Sequence, residues 1–283
     1  MADRYWVNTG AQVDWGSTTG CSGTTCWSTT SGGPPGASVP GNGDAAIFDG
    51  NGTGDCRVLF AVSVLTSLSL VSGYTGTLRN LAALVTESFA CASGATFTAD
   101  AFVTIRGNFT NNGTINGASE IVPQWLSNSS YSLSGSGTFG CALRFSSATS
   151  DAVLNIGSDI DITSDVTMQA SVSGRALTVS NTGNYNISVG GDIATDKGTG
   201  GTVTWTKGTG TITLSGSADQ DIDFDGESVE DIVIDKTAGT VTLTGGVVTD
   251  SLTLTSGTLD CGSQTLETVG NFTMAAGTTV TET

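Results

Sequence analysis

The sequence contains no histidine, and only nine lysines and arginines stand against 26 aspartates and glutamates. The first absence removes the side chain that most often moves protons near neutral pH. It also leaves cysteine as the only soft zinc ligand, and no Cys-x-x-Cys pair is present. The shortage of bases gives a formal charge of −17, which repels phosphate backbones and anionic membrane surfaces. Nucleic-acid and membrane partners are therefore not expected. No run approaches the roughly 18 apolar residues of a membrane-spanning helix, and no stretch holds a helical period. The residues before Tyr5-Trp6-Val7 form neither a basic nor an apolar leader region, so the reading expects assembly in the cytoplasm.

What is abundant points in one direction. Charged residues make up 12%, against about 25% in an average soluble protein, and 40 glycines with many Ser and Thr fill the difference. With 37% hydrophobic residues recurring at spacing two, the chain has the material for a core that a disordered segment lacks. The pattern predicts an all-β protein of three- to five-residue strands joined by tight turns. Examples are Val62/Val64, Leu68/Leu70, Val203/Trp205, Ile212/Leu214, Ile222/Phe224, Ile232/Ile234, Val241/Leu243 and Leu252/Leu254. The stretch Leu78–Phe89, the nearest to a helical pattern, fits two short strands as well.

Fragments recur without a strict period. Gly107-Asn108-Phe109-Thr110 returns as Gly270-Asn271-Phe272-Thr273, and Ser67-Leu68-Ser69-Leu70 is echoed by Ser251-Leu252-Thr253-Leu254. Degenerate repeats of this kind suit a parallel β-helix, or β-solenoid, with coils of about 20 residues whose inward aliphatics are buried by the next coil. Tandem β-sandwich domains are the alternative, and they favour longer strands and more Asn-Gly hairpins. The reading places an N-terminal cap or attachment segment at 1–50 and the solenoid at 51–283, with a subdivision near 150.

Four groups of residues are candidates for chemistry or contact. Asp221, Asp223 and Asp225 followed by Gly226 imitate the start of a calcium-binding loop, although Ile232 stands where the bidentate glutamate belongs. Calcium is the only cofactor this suggests; the competing reading is a solvated strand face with Ile222 and Phe224 inward. Asp159, Asp161 and Asp165 repeat the theme. Paired carboxylates can hydrolyse glycosides, yet 26 acids pair by chance, no histidine is present, and the bases are too sparse to pick out one placed to stabilise a developing anion. Cys21 and Cys26 lie close enough in a Gly/Ser/Thr loop to close a disulfide, and Cys56, Cys91, Cys141 and Cys261 are read as buried thiols. Tyr5, Trp6, Trp15 and Trp27 are read as an aromatic plug over the first coil, with a docking surface or a sugar platform as alternatives.

The opening Arg4-Tyr5-Trp6-Val7, followed by Trp27-Ser28, Ser31-Gly32-Gly33, Val39-Pro40 and Phe48-Asp49, resembles a family of β-repeat proteins in tailed phages of aquatic bacteria. The resemblance covers about 50 residues, and the loop holding Cys21 and Cys26 departs from it. Beyond them it is one of texture, shared more distantly with bacterial surface β-helix proteins. It implies a structural virion protein without catalysis, a tail or head fibre or a capsid-surface decoration. That protein would contact other virion proteins or copies of itself as a homo-oligomer, and host surface glycan. A cell-surface adhesin or extracellular filament subunit, and a glycan-cleaving β-helix, are the other classes.

Overall fold

The computed structural model describes residues 2–124, 129–147 and 149–282. Among them there is no α-helix; the chain is a parallel β-solenoid of about ten turns. Sandwich domains are excluded by the strand direction. Among the described residues every pairing is parallel except Trp27–Ser28 against Asp3–Trp6. Parallel neighbours need a crossover of a dozen or more residues, and here the rest of the coil supplies it.

Two compact units are distinguished, residues 1–124 with 136–141 and residues 125–135 with 142–283. In the first unit each coil contributes one strand to each of three walls. Ala45–Phe48, Ser67–Leu70, Phe89–Cys91 and Phe109–Asn111 stack in the first wall. Val13–Asp14, Cys56–Val58, Thr77–Asn80, Thr96–Ala99, Thr114–Asn116 and Thr138–Gly140 form the second. Val62–Leu65, Leu84–Thr86, Val103–Ile105 and Ile121–Pro123 form the third. Inside, Phe89, Phe97, Phe109 and Phe139 stack edge to face, with ring centroids 5.1–5.3 Å apart.

The second unit repeats the plan. Its first wall holds Ala152–Ile156, Ala176–Ser180 and Thr202–Thr206, and its second Ile160–Ile162, Ile187–Val189 and Thr211–Leu214. Leu143–Ser146, Val166–Gln169, Ile193–Asp196 and Gln220–Ile222 form its third. Further on, Asp231–Leu243 and Leu252–Asp260 each bend through the second and third walls as one long strand.

Coil length varies at the corners while the walls keep register. Phe97 pairs with Ile115, 18 residues on, whereas Ile193 pairs with Ile222, 29 residues on. Ile212, Ile232, Leu252 and Phe272 follow at intervals of 20.

One expectation needs correction. A bulge between Val62 and Leu65 turns Leu65 inward and leaves Val64 half-buried, so the pair Val62/Val64 does not share the core face. Trp205 shares the inward face with Val203, its ring 5.9 Å from buried Phe224, although it is only half-buried. The two Gly-Asn-Phe-Thr fragments lie in different walls: Phe109 is buried in the first, Phe272 exposed in the second.

Candidate functional site

The segment that carries the resemblance builds the first coil and a covering loop. Asp3–Trp6 runs beside Ala45–Phe48, and residues 17–43 leave the wall and return over it. Trp6, Trp15 and Trp27 are completely buried around Phe48, with ring centroids 4.7–5.9 Å apart, and Phe48 continues the contact to Tyr74. Trp6 Nε1 donates to Gly54 O at 2.9 Å and Trp27 Nε1 to Trp15 O at 2.8 Å. The three tryptophans therefore form the plug and are not exposed as a sugar platform. Tyr5 is not part of it. It is half-buried, its backbone paired with Ser28 and Ile47, because alternation sends it to the face opposite Trp6.

The covering loop is tied at several points. Cys21 and Cys26 are joined in a disulfide. The N–H groups of Gly36 and Ala37 both donate to Trp27 O at 2.9 Å, and Arg4 Nε donates to Ser38 O at 3.1 Å. Ser31 Oγ donates to Asp49 Oδ2 at 2.6 Å and accepts from Asn51 Nδ2 at 2.8 Å. Gly52 is required beside this network, because a Cβ there would lie 2.0 Å from Trp6 O. Next to the disulfide, Val7, Asn8, Gly10, Cys21, Pro35 and Asn51 line an open cleft of about 360 Å³. No acid or base lines this cleft, so it has no group for proton transfer.

The aspartates serve a purpose that the sequence reading missed. Asp55 Oδ1 accepts the N–H of Thr77 at 2.7 Å, Asp159 that of Asn186 at 2.9 Å, and Asp219 that of Thr240 at 2.8 Å. In one run over successive coils, Asp165 accepts from Asp192 N at 3.0 Å and Asp192 from Asp221 N at 2.8 Å. Each carboxylate sits just before a wall strand and takes a corner N–H of the following coil, much as an N-cap residue does for a helix. The signal was present as Asp followed by an apolar strand, in Asp55-Cys56, Asp159-Ile160, Asp165-Val166 and Asp192-Ile193.

Asp221, Asp223 and Asp225 do not line one strand face. The strand ends at Ile222; Asp225 adopts φ 52° and Gly226 φ 79°. Asp223 Oδ1 accepts the N–H of Asp225 at 2.6 Å, and Lys197 Nζ lies 2.5 Å from Asp225 Oδ2. Burial raises the Asp223 carboxyl, opposed by that N–H, reinforced by the Asp225 carboxylate and opposed again by Lys197. Gly245 approaches closely, since a Cβ there would fall 1.7 Å from Asp223 Oδ1. Among the described residues no three acids or thiols are gathered to hold a metal ion, this trio included.

A buried polar pair also escaped the sequence reading. Lys236, 2% exposed, donates to Gln220 Oε1 at 2.6 Å and to Ser215 O at 3.2 Å. Gln220 Nε2 in turn donates to Gly191 O at 2.6 Å and Val189 O at 3.1 Å. Burial pushes the Lys236 ammonium down, while the carboxylates of Asp219 and Asp192 pull it up. Nearby, buried Glu230 accepts from Trp205 Nε1 at 2.7 Å and Gly208 N at 3.0 Å. These groups are satisfied by neighbouring coils.

Cys56, Cys91 and Cys141 are buried free thiols, whereas Cys261 is only half-buried. Burial holds Cys56 well above its ordinary 9.0, with Asp14 and Asp55 adding, and pushes Cys91 and Cys141 up to about 12. The unfolded chain ionises these thiols near 9.0 and the folded chain does not, so it is the folded state that retains the protons. Their contribution is complete below pH 9 and is lost as pH rises from 9 towards 12, at about 1.4 kcal/mol per unit per thiol. The urea midpoint is expected to fall steeply from pH 8.5 to 10.5, and less steeply in Cys91→Ala or Cys141→Ala. Equal slopes would show that the thiols do not set the alkaline limit.

No protein-family model matches the chain, and neither a curated protein nor a solved structure does.

Proposed function

We propose that the chain is a structural virion protein of a tailed phage, a fibre or capsid-surface decoration that acts without catalysis. The observation that carries the reading is the N-terminal segment. The residues that resemble phage β-repeat proteins are the ones that build the first coil, its tryptophan plug and the loop tied across it. An element of that kind suits an attachment or capping module, while the coils behind it supply length. Two further features favour a structural role over glycan cleavage. Corner aspartates such as Asp159, Asp165 and Asp192 already hold backbone N–H groups of neighbouring coils. The cleft beside the disulfide has no titratable side chain.

Mass spectrometry of purified phage particles, with the protein localised by labelled antibody, tests this reading. Detection at a fixed stoichiometry on the particle surface is the expected result. Absence from particles, with recovery from a bacterial envelope or secreted fraction, would replace the virion with the adhesin or filament reading.

A further inference from the structure

Along the first unit, the corner between the second and third walls is apolar over three successive coils. It carries Leu59-Phe60-Ala61, then Leu81-Ala82-Ala83, then Ala101-Phe102. Register aligns these turns, since Val58 pairs with Asn80 and Asn80 with Ala99 on one side, and Val62 with Leu84 and Leu84 with Val103 on the other. The N–H of Leu81 donates to Val58 O at 2.8 Å and that of Leu84 to Phe102 O at 3.0 Å. From inside, buried Asn80 Nδ2 holds Ala101 O at 2.7 Å and Ala82 O at 3.3 Å. The corner is thus firmly built.

Leu59, Phe60, Leu81 and Phe102 are 47, 46, 40 and 40% exposed. Scattered apolar residues on a surface need no explanation, but stacked ones form a patch, and such patches mark contact sites.

The charges beside this ridge are compensated. Arg57 and Arg79 are neighbours in register on the second wall; Arg57 lies 2.7 Å from Asp14 Oδ1, and Arg79 Nε 2.5 Å from Asp100 Oδ2. Two of the nine bases, Arg57 and Arg79, therefore lie at this edge, each against an acid, on a chain of charge −17.

We propose that the ridge is the contact between copies of this chain, ridge against ridge. Two copies of charge −17 repel least where their surfaces are apolar and locally neutral. A symmetric contact brings one patch against itself, which suits an apolar strip and would not suit a surface of a single charge. A strongly charged partner would find no uncompensated charge here to recognise. The apolar strip is on the order of 300 Å², short of the roughly 800 Å² per partner of a standard interface. The paired arginines must then form the rim, and association should depend on concentration. The inference rests on the surface alone and stands whether or not the chain belongs to a virion.

Sedimentation velocity of the purified chain tests it, alongside Phe60→Asp and Leu81→Asp, both outward changes whose folding is checked by circular dichroism. The wild type should shift from monomer to dimer or a higher cyclic species as concentration rises, and both variants should remain monomeric. In a Cys261→Ser background, Ala83→Cys should yield a covalent dimer on oxidation, and Thr204→Cys, exposed in the second unit, should not. A wild type monomeric at every concentration, association surviving both aspartates, or equal cross-linking at residue 204 would each overturn the proposal.

Discussion

Replacing Trp27 with alanine is expected to destabilise the first coils by about 4 kcal/mol, the range for deleting a buried tryptophan. The indole touches Trp6, Trp15 and Phe48 at once, and its N–H satisfies the carbonyl of Trp15. Alanine would leave a void between four elements that are distant in sequence, and a carbonyl without its donor. Hydrogen exchange is the suitable readout, because a stack of coils can open at one end without unfolding elsewhere. Amides of Asp3–Trp6 and Ala45–Phe48 should lose most of their protection, those of Phe89–Cys91 less. Trp27→Phe should fall between, retaining ring contacts and losing the N–H bond. Unchanged protection at Ala45–Phe48 would mean that Trp27 does not plug the stack.

The second large effect is expected at Gln220. Gln220→Leu removes the acceptor of the Lys236 ammonium and leaves the carbonyls of Val189 and Gly191 without that donor. A buried group deprived of a hydrogen-bond partner destabilises by roughly 1–3 kcal/mol, and by more where it is charged, as Lys236 is. The double variant Gln220→Leu/Lys236→Met should recover part of that loss, since replacing both members with apolar groups removes the stranded ammonium. Urea unfolding of the four proteins in the cycle measures the coupling. A double variant as unstable as the sum of the single changes would mean that the two side chains act independently.

Much of the fold was legible because a solenoid buries one face of every strand. Leu68/Leu70, Ile212/Leu214 and Val241/Leu243 alternate as the walls require, and the stretch from Leu78 does divide into Thr77–Asn80 and Leu84–Thr86. What misled was local geometry that alternation does not encode. Val62-Ser63-Val64-Leu65 reads equally well in two registers, and only the bulge selects Leu65. The aspartates at 221, 223 and 225 alternate as a strand would, but the chain turns at Asp225 and Gly226. The candidate sites were legible unevenly. Three buried tryptophans and a Cys21–Cys26 pairing follow from composition and spacing, whereas the Asp caps, the Lys236–Gln220 pair and the apolar ridge depend on which coil lies next to which. That neighbour relation is set by coils of 18 to 29 residues, and no fixed period announces it.

The same variation in coil length has a consequence for how such a chain can change. Because register is held by the walls and extra residues collect at the corners, a segment inserted at a turn such as 197–201 adds surface without shifting the strands on either side. Gly198 and Gly200 already take positive φ there, and the flanking strands Ile193–Asp196 and Thr202–Thr206 keep their partners. The scaffold is in that sense a ruler with interchangeable markings: its graduations are fixed by backbone ladders about 4.8 Å apart, and what is displayed at each one is free to diverge.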